Sequence, residues 1–209
     1  MSTSLSNVLY STEYLRVDMK ADNHEQTKEP RFPGLKRDQL TDVQKRVYDS
    51  LADGPRGGVQ GPFGPLLRSP ELADRVRKLS DYLRFNTSLP ARLNEFAILI
   101  TARFWGAEYE WYAHKPLALK AGLGESIPDD LARKRRPANM KPDEELVYDF
   151  CTTLHRQHFV DDALFKRAMA MLGEQGVVDL IGVSGYYTLV SMVLNVAEIP
   201  LPPGEKSPW

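Results

Sequence analysis

The sequence predicts an all-α protein, and three observations carry that expectation. Apolar residues recur at three- and four-residue spacing from Phe32 onward, as in Val43, Val47 and Leu51. Helix start and stop signals bracket those segments, with Ser, Thr and Asp before them and glycines after them. No stretch alternates apolar and polar residues over the length of a strand, and no internal repeat is present.

Taken in order, residues 1–30 are polar, with few large apolar side chains and no helical period. They read as a flexible or partner-embracing arm, and residues 31–209 as a single helical domain. Thr41 and Gln44 form a capping box for a helix reaching Ala52, stopped by Gly54. The stretch DGPRGGVQGPFGPLLRSPE holds five glycines and four prolines, which predicts an irregular loop. Ser69 and Pro70 start a second helix through about Phe85. Ser88 and Pro90 start a third, LPARLNEFAILITARFW, ending near Gly106. AEYEWYAHKPLALKAGL is a fourth, stopped by Gly122, with Pro116 expected to kink it or free the Tyr112 carbonyl. Another runs from about Pro142 to His155. Asp161 caps one that ends at Gly173, and the last spans roughly Glu174 to Val196, where Gly182 and Gly185 permit close helix contact. The tail IPLPPGEKSPW reads as a proline-stiffened strap.

Composition narrows the function. Lys and Arg total 27 against 28 Asp and Glu, for a net charge of -1. That balance argues against a nucleic-acid or anionic-membrane footprint. Hydrophobic residues make up 42% of the 209 residues, enough for a sizeable core. The lone cysteine, Cys151, cannot build an intrachain disulfide framework, so a cytoplasmic setting is expected. No secretory leader is evident, and the longest apolar run, FAILI, is short of the roughly 20 residues of a membrane helix.

Placing each residue at 100° per step shows an oddity in the fourth helix. Glu110 and His114 point the same way as Ala107, Leu117, Ala118 and Ala121, while Glu108, Tyr112, Lys115 and Lys120 lie opposite. In the preceding helix Glu95 falls among Ala91, Ile98, Leu99 and Ala102. Two consecutive helices packing through such faces would bring Glu95, Glu110 and His114 together in a dry pocket. Burial and charge crowding there would perturb their proton affinities, the arrangement proton transfer needs. The alternative is a buried polar network that only fixes helix registry.

The segment YLRFNTSLPARLNEFAILITARFWGAEYEWYAHKPLALKAGL resembles the carboxymuconolactone decarboxylase and alkylhydroperoxidase D superfamily. The likeness is strongest over residues 82–123 and looser from Phe32 to Pro203, including FGPLLRSPEL and GEQGVVDLIGVSGYYTLVSMVLN. It implies an all-helical homo-oligomer built from dimers or trimers, with no bound cofactor. The peroxidase branch carries a glutamate, a cysteine twelve positions on, C-x-x-C spacing, and a histidine four beyond the second cysteine. That frame falls here on Glu95, Ala107, Glu110 and His114. The glutamate and histidine are kept and both cysteines are replaced, so the thiol route of that branch has no nucleophile at these positions. The decarboxylase branch needs no thiol. It implies a cofactor-independent lyase or isomerase acting on a small carboxylate or lactone, of the kind met in aromatic compound catabolism. His114 is then the proton donor and acceptor, Glu110 orients it or shares its proton, and Glu95 is a second acid or base. A thiol-independent relative of the peroxidases and a non-catalytic oligomeric scaffold are the alternatives.

Further candidates surround this trio. Arg84 and Arg103 flank it and could hold a substrate carboxylate, or be helix-surface charges. Trp111 could wall the pocket, and the loop around Phe63 could cover it. Tyr186 and Tyr187 could supply phenolic hydrogen bonds, or simply pack. Cys151 falls among Val147, Phe150 and Leu154 and reads as an inert core thiol. His155 and His158 read as cations at a helix C-terminus. A metal at Glu95, Glu110 and His114 is chemically sensible but not demanded by the spacing. The run Arg133–Pro137 reads as a solvated helix end.

Overall fold

A computed structural model describes residues 31–54 and 58–209, and everything structural below concerns those residues. They form eight helices and no strand: α1 Asp42–Ala52, α2 Phe63–Leu66, α3 Pro70–Phe85, α4 Ala91–Trp105, α5 Glu108–Lys120, α6 Ser126–Ala132, α7 Pro142–Gln157 and α8 Asp162–Ala197. The expected arm at 1–30, and residues 55–57 of the Gly/Pro stretch, lie outside the described residues.

Helix α4 is the axis of the molecule. Every residue from Leu93 to Ala102 is buried, which a helix apolar on nearly all sides requires. It packs against α5, α7 and α8. Asn94 Nδ2 donates to the Leu83 carbonyl at 3.0 Å and Thr101 Oγ1 to that of Ala97 at 2.9 Å, while Asn94 Oδ1 is buried without a partner among the described residues. Gly106, at φ 62°, ends α4 in the left-handed conformation glycine adopts without penalty. The chain therefore reverses within two residues, and α5 lies back along α4.

Most expected boundaries hold. Thr41 and Gln44 make the capping box, and Asp161 caps α8 by accepting from the Leu164 N–H at 2.8 Å. Gly173, at φ 68° and ψ 177°, breaks the long α8 where two helices were expected to meet. Pro116 and Tyr112 both lie on the solvent side of α5, so water can meet the freed carbonyl and the helix continues.

Several details differ. Ser88 is no helix cap. Its N–H and hydroxyl both donate to Asp179 of α8, at 2.8 and 2.7 Å, and Tyr82 adds a third bond at 2.9 Å. Burial would raise the Asp179 pKa, but these donors outweigh it and hold the carboxyl low. The Gly/Pro stretch is not wholly irregular, because Phe63–Leu66 forms a helical turn whose Phe63 is fully buried in the core. Helix α6 was not anticipated. Val43 and Leu117, assigned to buried faces, are partly exposed at 37% and 36%.

Helix α8 also corrects the reading of apolar length. Its most apolar window, of mean hydropathy 1.6, is by length and composition enough to cross a membrane, yet 56% of that window is buried inside the protein. The tail after Ala197 does strap the fold. Trp209 packs edge-on against Trp111 with ring centroids 5.4 Å apart, and Ser207 Oγ donates to Glu108 at 2.6 Å.

Candidate functional site

The reversal at Gly106 sets the face of α4 carrying Glu95 against the face of α5 carrying Glu110 and His114. Glu95, Glu110 and His114 are 9%, 4% and 4% exposed, so the trio meets in the interior. His114 Nδ1 lies 2.7 Å from Glu95 Oε2, and its Nε2 lies 3.2 Å from Glu110 Oε2. The first contact is a well-aligned hydrogen bond. The second is close but off the direction of a ring N–H, so Glu110 Oε2 has no aligned partner among the described residues.

Electrostatics give the ring its charge. Burial alone would strip the proton from His114, but Glu110 and Glu95 on its two sides outweigh that and raise its pKa to about 9. At neutral pH the ring is an imidazolium with a proton on each nitrogen. It is therefore poised to donate a proton before it can accept one. A metal ion needs an unprotonated ring nitrogen. With both nitrogens directed at carboxylates, the trio does not have the form of a metal site. Among the described residues no group of three or more His, Cys, Asp or Glu could hold a metal.

Tyr187 of α8 completes the setting, its ring edge-on to the imidazole with centroids 5.1 Å apart. Its hydroxyl is buried without a partner among the described residues. Burial first, and then the nearby Glu110 charge, hold the phenol well above its usual pKa, while Arg84 pulls the other way. Tyr186 and Tyr187 are both candidates from sequence for phenolic hydrogen bonds or for packing; Tyr186 packs edge-on against Tyr187 with ring centroids 5.0 Å apart. What sets Tyr187 apart from its neighbour is its place on the helix. Val183, Tyr187 and Val190 share one stripe of α8, and a phenol on a core stripe calls for a polar neighbour.

The remaining candidates divide. Arg84 reaches the neighbourhood of Tyr187, and its Nε is buried without a partner among the described residues. Trp111, 2% exposed, walls the α5 side beneath Trp209. Arg103 is engaged elsewhere: its Nε donates to the Ala132 carbonyl at 2.8 Å and its guanidinium lies over the Trp209 ring at 4.4 Å. Phe63 is a core residue with no exposed surface, so it is not itself a cover. The loop before it does reach the site's flank, where Gly61, at φ 57°, backs onto the Tyr109 ring.

The thiol question also has a geometric answer. Ala107 is a buried methyl at the N-cap of α5, and Glu110 occupies the second position of the cysteine frame. Cys151 is fully buried beside Ser184, and burial raises its pKa to about 12. It is the inert core thiol expected. The His155 expectation fails. Burial, with a smaller contribution from His158, lowers its pKa to about 4, so it is neutral. It pairs with Thr101 Oγ1 at 2.9 Å and stacks on Phe104 at 4.9 Å. His158 is the left-handed C-cap of α7.

No protein-family model matches the sequence, and no curated protein does either. Solved structures do. A protein from Ralstonia eutropha JMP134, described as an alkylhydroperoxidase AhpD core and an uncharacterised peroxidase-related protein, superimposes with a TM-score of 0.69. It is 18% identical, over 83% of this chain and 93% of its own. An uncharacterised peroxidase-related protein from Silicibacter sp. TM1040 gives a TM-score of 0.66 at 14% identity, over 87% of this chain and 96% of its own. At these identities the likeness speaks for architecture alone, and this chain has the all-helical AhpD-like fold.

Proposed function

We propose that this protein is a cofactor-independent lyase or isomerase of carboxymuconolactone decarboxylase type, acting on a small carboxylate or lactone. The observation that carries the reading is a doubly flanked imidazolium inside a buried site. Glu95 fixes its orientation through Nδ1, and Glu110 Oε2 lies 3.2 Å from Nε2. The Tyr187 hydroxyl and Arg84 Nε, buried without a hydrogen-bond partner among the described residues, favour a ligand site over a packing device. A buried polar atom without a partner costs about 1–3 kcal/mol, which a purely structural network has no reason to retain.

In this reading the carbon–carboxylate bond breaks as carbon dioxide leaves, and its electron pair passes into the conjugated lactone as a dienolate. His114 then delivers a proton to the resulting carbon through Nε2. Glu110 holds the returning proton in place, and solvent restores it. Arg84 and Tyr187 supply the charge and the phenolic donor for substrate oxygens.

The reading is tested with carboxymuconolactone, following carbon dioxide release. His114→Gln should abolish turnover with the fold intact, while Cys151→Ser should leave it unchanged. Undiminished release by His114→Gln would remove this histidine from the mechanism.

A peroxide-consuming activity is the second reading, favoured by the fold shared with peroxidase-related proteins. The absent cysteine pair and the buried Cys151 weigh against any thiol route. Peroxide consumption that survives in wild type and falls in Cys151→Ser would restore it. A non-catalytic scaffold is the third, and no thermal-shift response to any small carboxylate would favour it. We also place the protein in a homo-oligomer in the cytoplasm. Support for the oligomer comes from α8, where Val178, Ile181, Met192 and Val196 are 66%, 47%, 42% and 59% exposed along one face.

A further inference from the structure

Helices α4, α6 and α7 enclose an open cleft of about 250 Å³ whose lining includes none of Glu95, Glu110 and His114. Its floor is apolar, from Ile100, Leu131 and the Tyr148 ring. Its rim carries Arg103, Lys134, Arg135 and Arg156, and neither Asp nor Glu lines it. A protein whose net charge is -1 has thus gathered four cations around one concavity.

Helix ends account for part of this gathering, and their magnitude can be worked out. Arg103 and Arg156 lie in the last turns of α4 and α7, and Lys134 and Arg135 follow the end of α6. Each C-terminus carries the equivalent of about half a negative charge, so three offset roughly one and a half. Asp130 offsets one more, through its 2.6 Å pair with Arg135. A net positive charge of roughly one to two therefore remains. Arg103, Lys134 and Arg156 have no carboxylate partner among the described residues. Burial pulls the Arg103 pKa down with nothing opposing it. Lys134 is held at φ 57°, in the left-handed region that L residues other than glycine rarely visit. His155, neutral and stacked on Phe104, adds a flat wall without adding charge.

We propose that this cleft is a second ligand site, for a small organic anion that carries a carboxylate or phosphate on a flat apolar body. The residual charge matches one or two negative charges on the ligand, and guanidinium groups grip both anions in the same two-pronged way. The apolar floor and the aromatic wall select the body. The site is independent of the reaction proposed at His114.

The test is calorimetric titration of the full-length protein with phenyl phosphate and benzoate, beside inorganic phosphate and benzyl alcohol. Both organic anions should bind in the millimolar range or tighter, and better than either control. Lys134→Glu with Arg156→Glu changes only exposed side chains, so the fold should survive, which a thermal melt checks. That double variant should weaken the organic anions by about tenfold or more, the scale of losing charge-assisted bonds. His114→Gln should bind them as wild type does. No binding, binding untouched by the double variant, or binding lost in His114→Gln would each overturn the proposal. Inorganic phosphate binding as tightly as phenyl phosphate would overturn the role of the apolar floor.

Discussion

The charge on His114 makes the pH dependence of stability a sharp test of the site. In the unfolded chain this ring titrates near 6.5, and in the folded protein its pKa is about 9. A group whose folded pKa is raised contributes its full stabilisation below the unfolded value and loses it as pH climbs through the folded one. The window therefore runs from about 6.5 to about 9, and each pH unit within it costs about 1.4 kcal/mol. The whole effect is about 3 kcal/mol, and little solvent screening applies to a side chain only 4% exposed. For a protein of this size that loss lowers Tm by roughly 10 °C. Urea denaturation of wild type and His114→Gln at half-unit steps from pH 6 to pH 10 isolates the contribution, since other titrations are common to both. The difference between the two proteins should shrink across that window. A difference that stays constant with pH would mean the ring is neutral in the folded state, and the acid role assigned to it would go.

Three further outcomes follow from the packing. Arg92 pairs at 2.7 Å with Asp143 and also with Glu144, which is 1% exposed; Arg92→Met should destabilise the fold by about 3 kcal/mol in denaturant titration, because the buried Glu144 carboxylate loses its charge partner and keeps the Lys141 N–H. Phe63→Ala should cost about 3–5 kcal/mol by the same assay, as expected for a fully buried aromatic. Gly61→Ala places a methyl carbon 2.9 Å from the Tyr109 ring at φ 57°; it should lower stability by about 1–2 kcal/mol, and near-ultraviolet circular dichroism should report the shifted tyrosine.

What the sequence determined by itself was local and periodic. The capping box at Thr41, the stop at Gly106, the break at Gly173 and the burial of Cys151 all follow from residues within a few turns of one another. The same rule found the trio: angular position alone put Glu110 and His114 on an apolar face of α5 and Glu95 on one of α4, and Gly106 brought those faces together. Tertiary structure decided what depends on distant partners. Ser88 looked like a cap until Asp179, on another helix, took its hydrogen bonds. Phe63 looked like a lid until the core claimed it. His155 looked cationic until Phe104 and Thr101 enclosed it. Tyr187 and Arg84 approach the site from α8 and α3, and the cleft beside Arg103 is built by three helix ends. A helix wheel sees its own neighbours, whereas the protonation state of a buried ring depends on every charge that folding brings within a few ångströms of it.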